Sequence, residues 1–400
     1  MLRLSLAMFL VQAGFHGFTV AIPLALARAG RPDAEIGAIV GMAPLIQIPA
    51  ALVAGTLVDR FGGLRLFVVG GLAYLASALV LLMPGLDPAN SSVPFICARL
   101  LQGIGFGMTL PAVFSVIPRL VPAARRGLAL ATAGASHNLT LIVLPPLSIV
   151  VLDRYGLQGV CILVASLILL SFVVALARPV RPLPATDGDL GQARRKFGFA
   201  YRRSWIGPLA IVTLFTVHWG VVTAYLPQRA DVAGADIGLF FAADGLFVLL
   251  ARFPSGWLSD RLPGAWQVLA GLALTALGVL LVLLPLTTPL LITAGALTGA
   301  GAALIVVPVL LALSKRSSDA DRGSAFALFS ASFAIAIALG SIGTAPIIER
   351  LGFELLLVVT LLAVALAALV ALADRDLRQR PIRVADQPGS EPAGTTPIGS

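Results

Sequence analysis

Apolar segments close to the length of a membrane crossing follow one another from end to end of this chain, and that succession leaves few folds open. A helix spanning the hydrocarbon layer needs about 20 mainly apolar residues. Lipid offers no hydrogen bonds, so the backbone of such a segment must satisfy itself as a helix. The segments fall near residues 4–27, 36–57, 66–84, 93–115, 128–151, 157–178, 205–227, 237–258, 266–285, 289–313, 324–346 and 353–373. Only 12% of the residues are charged, about half of what soluble domains carry. The pattern predicts an all-α membrane protein with twelve transmembrane helices.

The formal net charge of +9 invites a nucleic-acid reading, but a basic patch for that purpose clusters on one soluble domain. Here the cations follow the connections. With the N-terminus inside, only Arg28, Arg31, Arg154, Arg229 and Arg350 of the 28 Lys and Arg fall in outer loops, and only Arg99 and Arg252 inside spans. The rest lie on inner connections and termini, which is the positive-inside bias. It predicts an inner-membrane protein with both termini in the cytoplasm and no nucleic-acid partner. Arg3, the apolar run after it and Ala25-Leu26-Ala27 imitate a cleavable signal peptide. The length of the run, with His16 and Pro23 inside it, predicts a retained first span instead. Cys97 and Cys161 fall within spans, where a disulfide of the secreted kind is not expected.

A polar stretch from Arg178 to Ser204, rich in Pro, Gly, Asp and Arg, divides the spans six and six and reads as a linker. Residues 1–178 are then an N-terminal six-helix bundle, 179–204 a cytoplasmic linker and 205–373 a C-terminal six-helix bundle. Residues 374–400, with Pro381, Pro388 and Pro397, read as a disordered cytoplasmic tail. The two halves also repeat. Gly55, Asp59 and Arg60 recur as Gly256, Asp260 and Arg261, 201 positions on. Gly103 and Gly105 recur as Gly299 and Gly301, Arg126-Gly127 as Arg322-Gly323, and Arg154 with Gly156 as Arg350 with Gly352, all shifted by 196. Ordered matches at nearly one offset point to a duplicated unit and two pseudo-symmetric bundles.

At the inner end of the second span stands Gly55-Thr56-Leu57-Val58-Asp59-Arg60-Phe61-Gly62-Gly63-Leu64-Arg65. Gly55 permits close helix approach, Gly62 or Gly63 supplies a tight turn, and Asp59 can face the positive N-terminal end of a neighbouring helix. The fourth span carries Arg99-Leu100-Leu101-Gln102-Gly103-Ile104-Gly105. A cation at that depth costs at least about 2.5 to 3.5 kcal/mol, so it should face a partner or a watery cavity. Together these segments resemble the two signatures of the major facilitator superfamily, and with the repeat the resemblance covers residues 4 to 373.

The resemblance implies that fold, a membrane transporter working by alternating access, and no enzymatic cofactor. It implies that Gly55, Asp59, Arg60, Gly62 and Arg65 form a gate whose aspartate latches the outward-open state against the eleventh helix near Arg322-Gly323-Ser324. Gly256, Asp260 and Arg261 are its counterpart, and Gln102, Gly103 and Gly105 belong to the second signature, whose arginine is linked in relatives to proton coupling. Gly63 and Leu64 stand where the family usually has further basic residues. The Gly-Pro-rich signature of drug/proton antiporters in the fifth helix is missing; Gly134-Ala135-Ser136-His137-Asn138 holds its place, with Pro145-Pro146 further on.

All three histidines, His16, His137 and His218, fall near the middle of spans one, five and seven, and His16-Gly17 and His218-Trp219-Gly220 are 202 positions apart. The imidazoles can surround a solute at mid-membrane depth, or each can serve as an interhelical hydrogen-bond partner. No close-spaced ligand pair supports a metal site. Asp244 is the acidic residue inside a span, where an unpaired anion is costly, and it is the natural candidate for a carried proton. Arg252 lies about 12 Å further along the same helix, so its direct pairing with Asp244 is not expected, and a static pair through water is the alternative. An approach of Arg99 to Asp244 when the outer side closes is expected.

The expectation is a monomer in the lipid bilayer whose pathway is lined by His16, Arg99, His137, Asn138, His218, Asp244 and Arg252. Its partners are a small polar or amphipathic solute and protons. The mixed cationic, imidazole and amide lining suits a carboxylate-bearing solute better than a greasy drug. Export against inward protons is the first reading and proton-coupled uptake the second. A membrane-embedded enzyme or a receptor lacks support: neither His-Glu-x-x-His nor Gly-x-Ser-x-Gly occurs, and the inner connections leave no room for a signalling domain.

Overall fold

The computed structural model describes residues 2–122, 125–177, 201–318 and 321–379. The expected linker lies outside them except for 201–204, and the expected tail except for 374–379. Helices joined by short connections, with no strand, make up the described chain, as the succession of apolar segments requires. The N-terminal half holds α1 (Leu2–Arg28), α2 (Asp33–Phe61), α3 (Gly63–Leu81), α4 (Val93–Val116) and a long stretch, Arg126–Leu176. Gly156 (φ 66, ψ −171) divides that stretch into α5 (126–155) and α6 (157–176). The C-terminal half holds α7 (Ile206–Val232), α8 (Ile237–Ser259), α9 (Gly264–Leu281), α10 (Thr288–Lys315), α11 (322–351) and α12 (353–373). α11 starts as Arg322–Ala338 and passes through a π turn at Leu339–Gly343, and Gly352 (φ 80, ψ 175) separates it from α12.

The duplication read from the sequence is present in the backbone. Gly156 and Gly352, 196 positions apart, take the same conformation, one open essentially to glycine alone. Glycines at helix crossings repeat as well. A Cβ on Gly103 would stand 2.2 Å from the Ala43 carbonyl oxygen, and one on Gly299 would stand 2.2 Å from that of Asp244. Thus α4 presses on α2 as α10 presses on α8. Small residues at such crossings let backbones approach where lipid supplies no hydrophobic drive.

Twelve spans bring residue 2 and residue 379 to one face of the molecule, called here the terminal face; the other is the distal face. The buried side chains form two cores. One runs through the N-terminal bundle and continues into the distal half of the C-terminal bundle, reaching Val221, Tyr225, Phe241, Leu291 and Leu357. The other fills the terminal half of the C-terminal bundle alone, from Trp205 and Phe215 to Val309 and Val364. The halves are therefore packed together distally and apart at the terminal face. Beyond α12, Asp374 caps a single helical turn, Arg375–Arg378, and Leu377 is buried in the second core. The start of the expected disordered tail is thus docked.

Candidate functional site

On the distal face the two halves are tied by ion pairs exchanged in both directions. Arg28, at the end of α1, donates to Asp231 at the end of α7 through Nε (3.1 Å) and Nη2 (2.6 Å), and to Asp153 through Nη1 (2.8 Å). Arg229 of α7 returns the exchange by donating to Asp33 at the start of α2 (2.9 Å), with Gln228 Nε2 on the same carboxylate (3.3 Å). Beneath this clamp the contact is tight. Tyr225 OH donates to the Ser341 carbonyl (2.5 Å), a Cβ on Gly37 would stand 2.0 Å from that hydroxyl, and one on Gly238 would stand 2.6 Å from Pro146 Cα.

The terminal face differs. At Gly55 and Gly256, the two equivalent motif glycines, an added Cβ would meet open space out to 4 Å. Gly62 has the positive φ (84°) of the expected tight turn, and Gly63 fits against Ser115, Val116 and the Ala112 carbonyl of α4. Arg60 stacks on Phe61 (5.3 Å) and Arg261 on Trp257 (3.7 Å), while Arg65 is exposed. The side chains of Asp59, Arg322 and Gly323 lie outside those described, so the expected latch to α11 does too; Ser324 is described. Asp260 is exposed at the end of α8.

At mid-depth in the N-terminal bundle, His16 and His137 face each other with ring centroids 5.1 Å apart, flanked by Phe15 and Phe106. Gln12, one turn before His16, organises this cluster. Its Oε1 accepts from Tyr74 OH (3.0 Å) and Thr109 Oγ1 (3.4 Å), which leaves its Nε2 to donate to His137 Nδ1 (3.0 Å). That assignment, made from the network, puts any single proton of the His137 ring on Nε2. Both ring nitrogens of His16 and the amide nitrogen of Asn138 are buried without a partner among the described residues. His218 is separate. Its Nδ1 contacts the Phe215 carbonyl and its ring lies near Phe215 and Trp219, with no ring contact or hydrogen bond to the other histidines. The three imidazoles expected around one solute are thus two together and one apart.

Arg99 and Asp244 are 2% and 4% exposed, and each sits alone with a neutral partner. Arg99 Nη1 donates to Gln102 Oε1 (3.0 Å), and Thr298 Oγ1 donates to Asp244 Oδ1 (2.9 Å). Thr298 is the repeat counterpart of Gln102, 196 positions on. The distal side is closed and no ion pair joins Arg99 to Asp244 among the described residues, which corrects the expected approach. Arg252 likewise makes no pair with Asp244. Its Nη1 points across to the other bundle, 3.9 Å from where a Cβ on Gly134 would stand, one turn before His137 on α5. Gln12, Tyr74, Thr109, Thr298 and the clamp residues Arg28, Asp33, Asp153, Arg229 and Asp231 are the parts of the site that the motifs did not mark. Gln12 and Thr298 carried a signal, as polar side chains one turn from His16 and at the place of Gln102.

Two six-helix bundles related by duplication, closed on one face and parted on the other around isolated buried charges, define a membrane transport protein. The family model described as Major Facilitator Superfamily matches residues 4–236 and again 219–398, and the chain belongs to that family, one of transporters and not of enzymes. Monocarboxylate transporter 13 of Bos taurus is 27% identical over 71% of this chain and 68% of its own. The multidrug resistance protein MdtL of Salmonella typhimurium is 22% identical over 51% of each. The matched stretch spans between 23% and 68% of such curated relatives' own length. Among solved structures, a peptide transporter POT variant in complex with alafosfalin superposes with a TM-score of 0.74 at 16% identity, over 94% of this chain and 95% of that one; it is alike in fold.

Proposed function

We propose that this protein is a proton-coupled secondary transporter that exports a small polar or amphipathic solute by alternating access. The observation that carries the reading is the asymmetric closure: the distal ends of the bundles are clamped by Arg28–Asp231 and Arg229–Asp33 while Gly55 and Gly256 stand open. Rocking of one bundle against the other about a mid-membrane site is the motion such an arrangement permits. The distribution of Lys and Arg supports a cytoplasmic terminal face in the inner membrane; on that reading the closed face is the outer one and the state is inward-facing.

Asp244 takes the role of proton carrier. It is buried, its partner is a hydroxyl, and no cation among the described residues offsets it as an anion. Arg252, His137 and Asn138 receive the anionic group of the solute, since a cation from one bundle lies beside the α5 stretch of the other that carries the His137 ring and the unpartnered amide nitrogen of Asn138. The monocarboxylate transporter among the relatives agrees with a carboxylate-bearing solute, and MdtL with export. Uptake uses the same parts and differs in which gradient drives the cycle.

The test begins with metabolite profiles of cells with and without the protein; a solute accumulating inside cells that lack it names the cargo and the direction. In liposomes with that solute, an imposed pH gradient drives net flux through the wild type. Asp244→Asn keeps solute exchange between equal pools and loses the response to the gradient. A proton dependence unchanged in Asp244→Asn removes the carboxyl from coupling, and absence of any solute flux removes the transport reading.

A further inference from the structure

Arg28 and Arg229, the two arginines of the distal clamp, are 201 positions apart, the offset that also relates Gly55 to Gly256. The duplication thus gives each bundle one cation at the same place, and each reaches across to a carboxylate of the other half. Each also has a partner in its own half. Arg28 Nη1 donates to Asp153 of α5 (2.8 Å), and the Arg229 guanidinium lies over the ring of Phe353 at the start of α12, 5.4 Å from its centroid.

The two carboxylates on Arg28 do not compete for one edge. Asp231 takes Nε and Nη2 side by side (3.1 and 2.6 Å), the fit of a carboxylate to the guanidinium fork, and Asp153 takes Nη1 alone. Parting of the bundles removes Asp231 from the fork and leaves Asp153 in place, because α1 and α5 belong to one bundle. Two other clamp charges keep something as well. Arg229 keeps the Phe353 ring, and Asp33, in the first turn of α2, keeps the favourable end of its own helix. Asp231 has no ion pair within its own bundle among the described residues, and it lies in the last turn of α7, the end that disfavours an anion.

We infer that Asp153 is a positioning residue of the rocking motion proposed above, on which its role rests: it is the acceptor that holds Arg28 when the distal face opens, so that opening does not strand the cation. In the closed state Asp153 shares the guanidinium with Asp231, and two anions crowd one cation. In the open state it has Arg28 to itself. Asp153 therefore favours the open state over the closed one, although it is bonded in both. A third strut of the clamp does the opposite.

Spin labels on cysteines at Ala89 and Leu284, exposed on the distal side of the two bundles, give the closed and open populations of the full-length protein as two distances, in a background lacking Cys97 and Cys161. Arg229→Asp serves as parent beside the wild type, since loss of its bond to Asp33 populates both states. Asp231→Asn is expected to raise the ratio of open to closed and Asp153→Asn to lower it, each about two- to fivefold, the range of a partly exposed pair. In the Asp231→Asn background, Asp153→Asn is expected to change nothing, because Arg28 then has the same single partner in both states. Asp153→Glu, which keeps a carboxylate within reach, is expected to stay near its parent. The Asp153 side chain is 49% exposed, so its replacement leaves the fold intact, which an unchanged helical circular dichroism spectrum checks. A larger open population in Asp153→Asn overturns the inference and makes Asp153 a strut of the clamp, and an unmoved population overturns it too; in both cases the response to Asp231→Asn leaves the rocking motion standing. One distance that no variant moves, Asp231→Asn included, overturns the rocking motion and the role of Asp153 together.

Discussion

Gln12 shows how one neutral side chain orders several buried ones. It is fully buried, accepts from Tyr74 and Thr109, and donates to His137. Gln12→Leu keeps the volume and removes all three partners at once. A buried polar group left unpaired costs about 1–3 kcal/mol, so the variant is expected to unfold at a temperature several degrees lower, measured by thermal denaturation in detergent. Gln12→Glu retains an acceptor for Tyr74 and is expected to lose less. Little of this cluster was legible in the sequence. The histidines drew attention as rare side chains in oil, whereas Gln12 and Thr298 were marked only by position, one turn from His16 and at the repeat place of Gln102, a signal that gains weight once a partner faces them. The same reason explains Arg99 and Asp244. Each was expected to seek an opposite charge, but Gln102 and Thr298, at equivalent places in the repeat, serve each instead.

Helix crossings in this fold are of two kinds, and glycine substitution separates them. Gly103 and Gly299 lie at crossings inside a bundle, where an added side chain meets backbone of Ala43 or Asp244. Gly103→Leu and Gly299→Leu are expected to reduce the yield of folded protein, since these contacts hold in every state. Gly238 and Gly37 instead face the other bundle, against Pro146 and against Tyr225 with Ser341. Gly238→Leu is expected to leave the fold intact and to block distal closure. The measurement is labelling of a single cysteine placed at Ile149, in a background lacking Cys97 and Cys161. The label reacts from the distal side in the variant and not in the parent. Crossings inside a bundle were legible from the repeated glycines. Those between bundles were not, because Gly37 and Gly238 look like any small residues in an apolar run until the halves are placed together.

For the whole molecule, the balance between the two faces rests on few charges. Each distal ion pair is partly exposed, 39% and 32% for Arg28 and Asp231, 43% and 29% for Arg229 and Asp33. Pairs of that exposure contribute about 0.2–1 kcal/mol. Two of them together bias the closed distal face by roughly 2- to 30-fold, a shallow preference that a transporter needs if it is to turn over. Arg229→Asp is expected to shift the population toward an open distal face, read by distance measurements between spin labels on the two bundles, and Asp33→Arg in the same chain is expected to restore it. About 1 M salt on the distal side, with a screening length near 3 Å, is expected to shift the wild type the same way. The twelve spans, the split into halves and the duplication were all readable from hydropathy, charge and spacing. Which face is closed was not, because composition is the same in every state.

The single-residue joints at Gly156 and Gly352 carry a practical corollary. Neither leaves a stretch of chain standing clear of the bundle, so an antibody or an inserted epitope tag finds almost nothing to grip there. The connection at 82–92, between α3 and α4, is longer and largely exposed, and it offers the foothold for a probe that reports on this side of the molecule without disturbing either hairpin.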